Sequence, residues 1–335
     1  MTEDASRLKQ RLRTIGLSDP AIDAAWPAWW SEDADASASA RAELRFSLAR
    51  KLGLDPHSLL ADSEEPRFVW RDEARFKHLS GEDEREQAAI TSFGTALGGY
   101  LVSATPPSTT RLEGSAINLR DAILHSQPYV RLQDLIGLCW SVGIPVVHLR
   151  VFPCPRKRMA AMCVRVGDAS AIMLGRDSLY PPHVAFYLAH ELGHIVLGHL
   201  AIQTVLVDLE EGEPRPPYGD PEETGADRFA LELLTGEAEP RVLPASDRYT
   251  ASQLAGAALA ASRGLGIEPG TLALCFGYST GDWARANAAI CRVYSSPKPA
   301  WTVVNATALG QLDLTRVPDD VQPYLRSVLG ETQPA

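Results

Sequence analysis

Cysteine is scarce in this 335-residue chain. Cys139, Cys154, Cys163, Cys275 and Cys291 are the only five, and no two form a C-x-x-C pair. An odd, scattered set argues against a disulfide framework and a cysteine zinc site. It points to buried free thiols in a reducing compartment, with no cysteine nucleophile. Long hydrophobic runs are missing as well. None reaches about eighteen residues without a charge or a histidine, so no membrane-spanning helix is expected. The opening MTEDASRLKQRLR has mixed charge and no apolar centre, unlike a secretory signal. Nor is there a basic excess: 32 Lys and Arg face 42 Asp and Glu, a formal net charge of −10. That balance argues against a broad nucleic-acid footprint. No internal repeat is evident. The expectation is a cytoplasmic globular protein of two or three units.

What is present is concentrated in Pro181–Leu200, PPHVAFYLAHELGHIVLGHL, which contains the H-E-x-x-H pattern His190-Glu191-Leu192-Gly193-His194. Pro181 and Pro182 suit a helix start, and Val184, Phe186, Leu188, Leu192, Ile195 and Val196 supply apolar positions around the pattern. On a helix, His190 and His194 are i and i+4, so their imidazoles lie on one face and can share a divalent metal. Glu191 is turned about 100° from His190. It can reach a metal-held water without binding the metal itself. A second helical pattern, Pro221–Leu234, places Phe229, Ala230, Leu233 and Leu234 on one side. Glu223 and Asp227 are i and i+4 on it, so one can ligate while the other orients a ligand from behind. Two histidines and one glutamate leave an open metal position, the arrangement of a catalytic zinc site.

These two stretches, HELGHIVLGH and the later ExxADxFAxxLL, resemble the ImmA/IrrE family of metallopeptidases. The likeness is strongest over residues 120–235. It implies an α+β zincin-like core, with a small sheet, the H-E-x-x-H helix and a glutamate-ligand helix, extended by helical N- and C-terminal regions. It implies Zn²⁺, or alternatively Mn²⁺, held by His190, His194 and Glu223, with Glu191 as catalytic base. In ExxAD the ligand falls on Glu223; Glu222 is one place out of register. Family members often continue LL with Met-Pro where this chain has Thr235-Gly236, a difference at the helix end that leaves the ligands untouched. The resemblance also implies a protein substrate, a helix-turn-helix transcriptional repressor, and a place in transcription regulation and stress response.

Around this core the chain divides into a helical module at 1–80, the peptidase unit at 81–245 and a mostly helical region at 246–335. The phrase LARKLGLDPHSLL is similar to the last helices of repressor-type helix-turn-helix domains. Residues 1–80, however, carry 12 Lys and Arg against 14 Asp and Glu, so DNA binding is possible but not favoured. Helices are expected over 83–102, 117–126, 130–142, 250–263, 271–276, 282–291 and 319–329. Strands are expected over 145–152, 160–166 and 171–174, with Gly167-Asp168 as a turn and a further strand at 301–304. Ala171–Leu174 is a candidate sheet edge for an extended substrate peptide, or else an ordinary core strand. Residues 201–220 form a connection, with no stable helix beyond Val207 and an acidic stretch (Asp208, Glu210, Glu211 and Glu213) that could act as a lid or favour basic substrates, or else is a solvated link. Asp227 is the candidate to orient a histidine ligand. Tyr218, His183 and Tyr187 are open candidates to stabilise the transition state, and the sequence favours none. His199 suits a hydrogen-bonded or exposed role, and His148 a core or surface one. Two functions follow: a regulatory metallo-endopeptidase, or a DNA- or protein-binding regulator whose metal site senses or supports.

Overall fold

The computed structural model describes residues 3–31, 33–61, 64–70, 74–76, 84–112, 114–156, 159–201, 204–209, 220–244 and 249–331. Four helices come first, α1 (Glu3–Thr14), α2 (Asp19–Ala25), α3 (Ala38–Leu52) and α4 (Pro56–Leu60), followed by strand β1 (Ala74–Phe76) and the long helix α5 (Glu84–Ala104). Then come α6 (Ala116–Leu124), α7 (Leu132–Ser141), β2 (Val146–His148), β3 (Met159–Val166) and β4 (Ala169–Leu174). Helix α8 (Pro181–Val196) carries the H-E-x-x-H pattern, and β5 (Val205–Leu209) and α9 (Pro221–Thr235) follow it. Among the described residues, five α-helices come last: α10 (Ala251–Leu265), α11 (Pro269–Thr280), α12 (Trp283–Val293), α13 (Trp301–Gln311) and α14 (Val321–Val328).

The five strands form one sheet in the order β1-β5-β3-β4-β2. Strands β3 and β4 are an antiparallel hairpin, with Val166 opposite Ala169 across the expected Gly167-Asp168 turn. The pleat sorts their side chains between two cores. Met162, Val164, Ala171, Met173, Val205 and Val207 face α5, while Ala161, Cys163, Ile172, Leu174 and Leu206 face the layer containing α8 and α9. Gly94 of α5 lets this helix lie close to the sheet, because a Cβ there would run into the Met162 sulfur. The result is a mixed α+β, zincin-like core with helices on both faces of a small sheet.

Three expectations change. Ala171–Leu174 does not form the sheet edge: β4 lies between β3 and β2, and the outer strands are β1 and β2. The strand expected at 301–304 is the start of helix α13. Its β-branched run suits a strand, but Val304, Asn305 and Ala308 are buried by packing against β2, and tertiary contact overrides the local preference. Asn305 bonds β2 directly, its Oδ1 accepting from the His148 backbone N–H at 2.7 Å and its Nδ2 donating to the His148 carbonyl at 2.7 Å. The 201–220 connection contains a strand, β5, paired antiparallel with β3 and parallel with β1.

The N-terminal helices share one core with α5 and α14: Leu12, Leu48, Leu52, Phe93, Leu97, Tyr324 and Leu325 belong to the same buried cluster. Tyr324 Oη donates to the Lys51 carbonyl at 2.9 Å, fastening α14 to α3. Buried Arg120 of α6 does similar work for α9, donating to the Leu233 and Leu234 carbonyls at 3.3 and 2.8 Å and to Gly266 at 2.7 Å. These are helix C-terminal carbonyls, which have no partner inside the helix and favour a cation. Gly236 at φ 89° closes α9, which accounts for Thr235-Gly236 at this helix end. Four cysteines are buried and Cys291 is exposed. Burial pushes the Cys139 and Cys275 thiols up to about 12, which removes them as thiolate nucleophiles. No helix among the described residues is long and apolar enough to cross a membrane.

Candidate metal centre

Helix α8 starts with Pro181 and Pro182 in its first turn, where a missing N–H costs nothing, and runs sixteen residues. His190, Glu191, Leu192, Gly193 and His194 are all buried on it. Helix α9 begins at N-cap Asp220, whose side chain accepts from the Glu222 N–H, and it presents Glu223 to α8 one turn later. The two helices approach closely because α8 has no side chain at Gly193, where it meets Ala226 and Phe229 of α9. A Cβ on Gly193 would stand 3.1 Å from a Phe229 ring carbon and 3.2 Å from the Ala226 Cα and carbonyl oxygen. Gly193→Val should therefore push α9 outward and carry Glu223 with it. We expect zinc affinity to fall at least about tenfold, as for loss of a supporting contact, while the far-UV spectrum stays helical. Unchanged affinity by chelator competition would show that the helix spacing does not set the site.

The donor atoms converge. His190 Nε2 and His194 Nε2 are 3.0 Å apart. Glu223 Oε2 lies 3.5 Å from His190 Nε2, and its Oε1 lies 3.6 Å from His194 Nε2. A tetrahedral ion with bonds of about 2.0–2.1 Å requires donor-to-donor edges of about 3.3 Å. The observed edges bracket that value, so these three residues fit a divalent metal of zinc size. They form a buried group whose ligand atoms all lie within 4.8 Å of one another.

The surrounding bonds fix the imidazole protons. Asp227 Oδ1 lies 2.8 Å from His190 Nδ1. A carboxylate can only accept, so Nδ1 carries a proton and Nε2 is the nitrogen turned to the centre, where its lone pair would serve a metal. His194 has a different partner: its Nδ1 lies 2.8 Å from His199 Nδ1. With Nε2 of His194 bound to a metal, its Nδ1–H would donate to that ring. The sequence assigns His199 a hydrogen bond but not this one, since i+5 points about 140° away on a straight helix. Gly198, at φ 76°, ends the helix, and the 3-10 turn His199–Ala201 brings the ring back. The Leu197-Gly198 pair before it was the signal.

The other candidates lie elsewhere or are committed to other bonds. Tyr187 Oη accepts from Arg176 at 2.6 Å, and the guanidinium lies over its ring at 5.4 Å. His183 bridges Ser178 Oγ at 3.4 Å and Asn287 Oδ1 at 3.3 Å, tying α8 to α12. Burial holds its pKa below the ordinary histidine value, against the opposing effect of the Asn287 bond. His148 is fully buried between the carbonyls of Leu149 and Arg176, at 3.1 and 3.0 Å, a core histidine. Tyr218 and the acidic residues Glu210, Glu211 and Glu213 lie outside the described residues. Asp208, which the sequence assigns only to the acidic connection, borders the site: its Oδ2 is 3.4 Å from His190 Nε2.

A family comparison points the same way over part of the chain. The profile of the IrrE N-terminal-like domain, a peptidase family, matches residues 147–266, from β2 through α10. The likeness covers this segment, about a third of the chain. No curated protein and no solved structure shows a significant match to the chain. The matched segment contains both helices of the candidate centre, α8 and α9, and the strand β5 between them.

Proposed function

We propose that the chain is a zinc-dependent endopeptidase of regulatory type that cleaves a protein partner, a helix-turn-helix transcriptional repressor or a protein like it. The convergence of His190, His194 and Glu223 on one buried point, inside a peptidase-family segment, carries this proposal. His190, His194 and Glu223 hold the metal, and Asp227 orients His190. Zn²⁺ suits two imidazoles and a carboxylate, and Mn²⁺ is the alternative. The ion would supply Lewis acidity, making water nucleophilic near neutral pH and polarising the scissile carbonyl. Glu191, only 1% exposed on the same helix, takes the proton from the attacking water and delivers it to the leaving amine. A site that merely stabilised the fold would have no use for that glutamate.

The choice between neighbouring glutamates is testable. Glu223 is buried and Glu222 half-exposed. Glu223→Gln should weaken zinc binding at least about a hundredfold and Glu222→Gln by less than about threefold, read by competition with a chelating dye. Equal losses would overturn the assignment of Glu223. For the function itself, N-terminal profiling of cells expressing wild type or Glu191→Gln is the direct test. A new terminus seen only with wild type, inside a helix-turn-helix protein, is the expected result. Identical profiles under normal and stress conditions would turn the assignment toward a non-cleaving regulator.

A further inference from the structure

Strand β5 alternates as a half-buried strand should, with one departure. Val205 and Val207 face the α5 core and Leu206 faces the opposite core, so Asp208 falls on the Leu206 side, toward α8. Its partner across the sheet is Ala161, a residue of that same core. An aspartate is disfavoured in a strand, and a carboxylate that is only 9% exposed is costly to bury without compensation. An apolar residue would serve the packing better. What the aspartate gains is nearness to His190: Asp208 Oδ2 is 3.4 Å from Nε2, the atom that faces the centre. That nitrogen therefore has His194 Nε2, Asp208 Oδ2 and Glu223 Oε2 around it at 3.0, 3.4 and 3.5 Å. Each corner of a tetrahedral zinc site has three neighbours at about that spacing. The tight group of donors is still His190, His194 and Glu223, so Asp208 borders it and has to move inward to complete it.

We propose that Asp208 is a fourth protein ligand of the metal, bound in a resting form and displaced when substrate enters. The inference rests on the metal-site assignment above and adds its regulation. Four protein ligands fill the position that an activated water needs, so turnover requires Asp208 to leave. The moving part is the end of β5, immediately before residue 210, while α8 and α9 stay packed. A two-histidine, two-carboxylate centre is also harder than a two-histidine, one-carboxylate centre, which raises its relative affinity for Mn²⁺.

The test uses the full chain loaded with Co²⁺, whose visible spectrum reports the ligand set. Asp208→Ala should change the intensity and position of the visible bands and weaken Co²⁺ binding about 10–100-fold. Acetohydroxamate, which must displace Asp208 in the wild type, should bind the Asp208→Ala centre at least about tenfold more tightly than the wild-type one. Asp208→Asn preserves the side chain's shape and should shift all three readouts in the same direction, guarding against a folding defect in the alanine variant. Wild-type spectra and wild-type acetohydroxamate affinity in both variants would overturn the proposal, even if metal affinity fell, because Asp208 would then act from outside the ligand set. His194→Ala separates the two levels. If it abolishes Co²⁺ binding while both Asp208 variants behave as wild type, only the fourth-ligand proposal fails. If it binds Co²⁺ like the wild type, the metal-site assignment fails too.

Discussion

Glu191→Gln should retain a full equivalent of zinc and lose about 10²–10⁴-fold in turnover. The amide has nearly the same shape as the carboxylate but cannot take a proton from water, so the first proton transfer loses its acceptor. Glu191 is buried between the two histidines in sequence and is not one of the three converging donors, so metal retention is expected to be unaffected. The two readouts, metal content by atomic spectroscopy and cleavage of the partner identified by profiling, separate base from ligand. Loss of zinc together with activity would make Glu191 part of the metal shell. Cleavage at the wild-type rate would remove it from the mechanism.

The second large effect is expected from His194→Ala. His194 is fully buried, contributes one of the three donor atoms, and bonds His199 through its other nitrogen. Removing it should weaken zinc binding by roughly a thousandfold or more, because two donors rarely hold the ion against solvent. A ligand that binds only the folded state stabilises it by mass action, so the zinc-dependent rise in melting temperature should vanish in this variant. Metal-free wild type and metal-free His194→Ala should melt within a few degrees of each other, which excludes misfolding as the cause. A zinc-dependent rise of wild-type size in His194→Ala would overturn the ligand assignment. His199→Ala is the milder companion: it removes the ring nitrogen that lies 2.8 Å from His194 Nδ1, and a 10–100-fold loss of zinc affinity is expected.

The centre was legible in the sequence to the extent that its geometry is local. His190 and His194 stand one turn apart because the helix repeats every 3.6 residues, and the apolar positions around them disclosed the helix. Asp227 was likewise recoverable as one turn from Glu223 on a second helix. The bond from His190 to Asp227, however, spans 37 residues and depends on how α8 packs against α9. Gly193 appears in the sequence as one of the unspecified positions of the motif, but only the structure shows that it opposes Ala226 and Phe229 and permits that packing.

Composition and periodicity by themselves pointed to free thiols, a few short strands and two amphipathic helices bearing two imidazoles and several carboxylates, and resemblance supplied the α+β zincin-like core and the role of Glu191 as base. Resemblance placed Glu223, not Glu222, at the ligand position. Tertiary structure alone decided the rest. β4 is interior because β2 and β3 pair on either side of it, and strand order is set by non-local hydrogen bonding that leaves no local sequence signal. β5 was hidden in a short segment leading into acidic residues, and only its pairing with β3 fixes which face Asp208 takes. Residues 301–304 became helical because burying Val304 against β2 outweighs a preference worth at most about 1 kcal/mol per residue. What lies within one helical turn could be read from the chain. What depends on which elements meet could be read only after they had met.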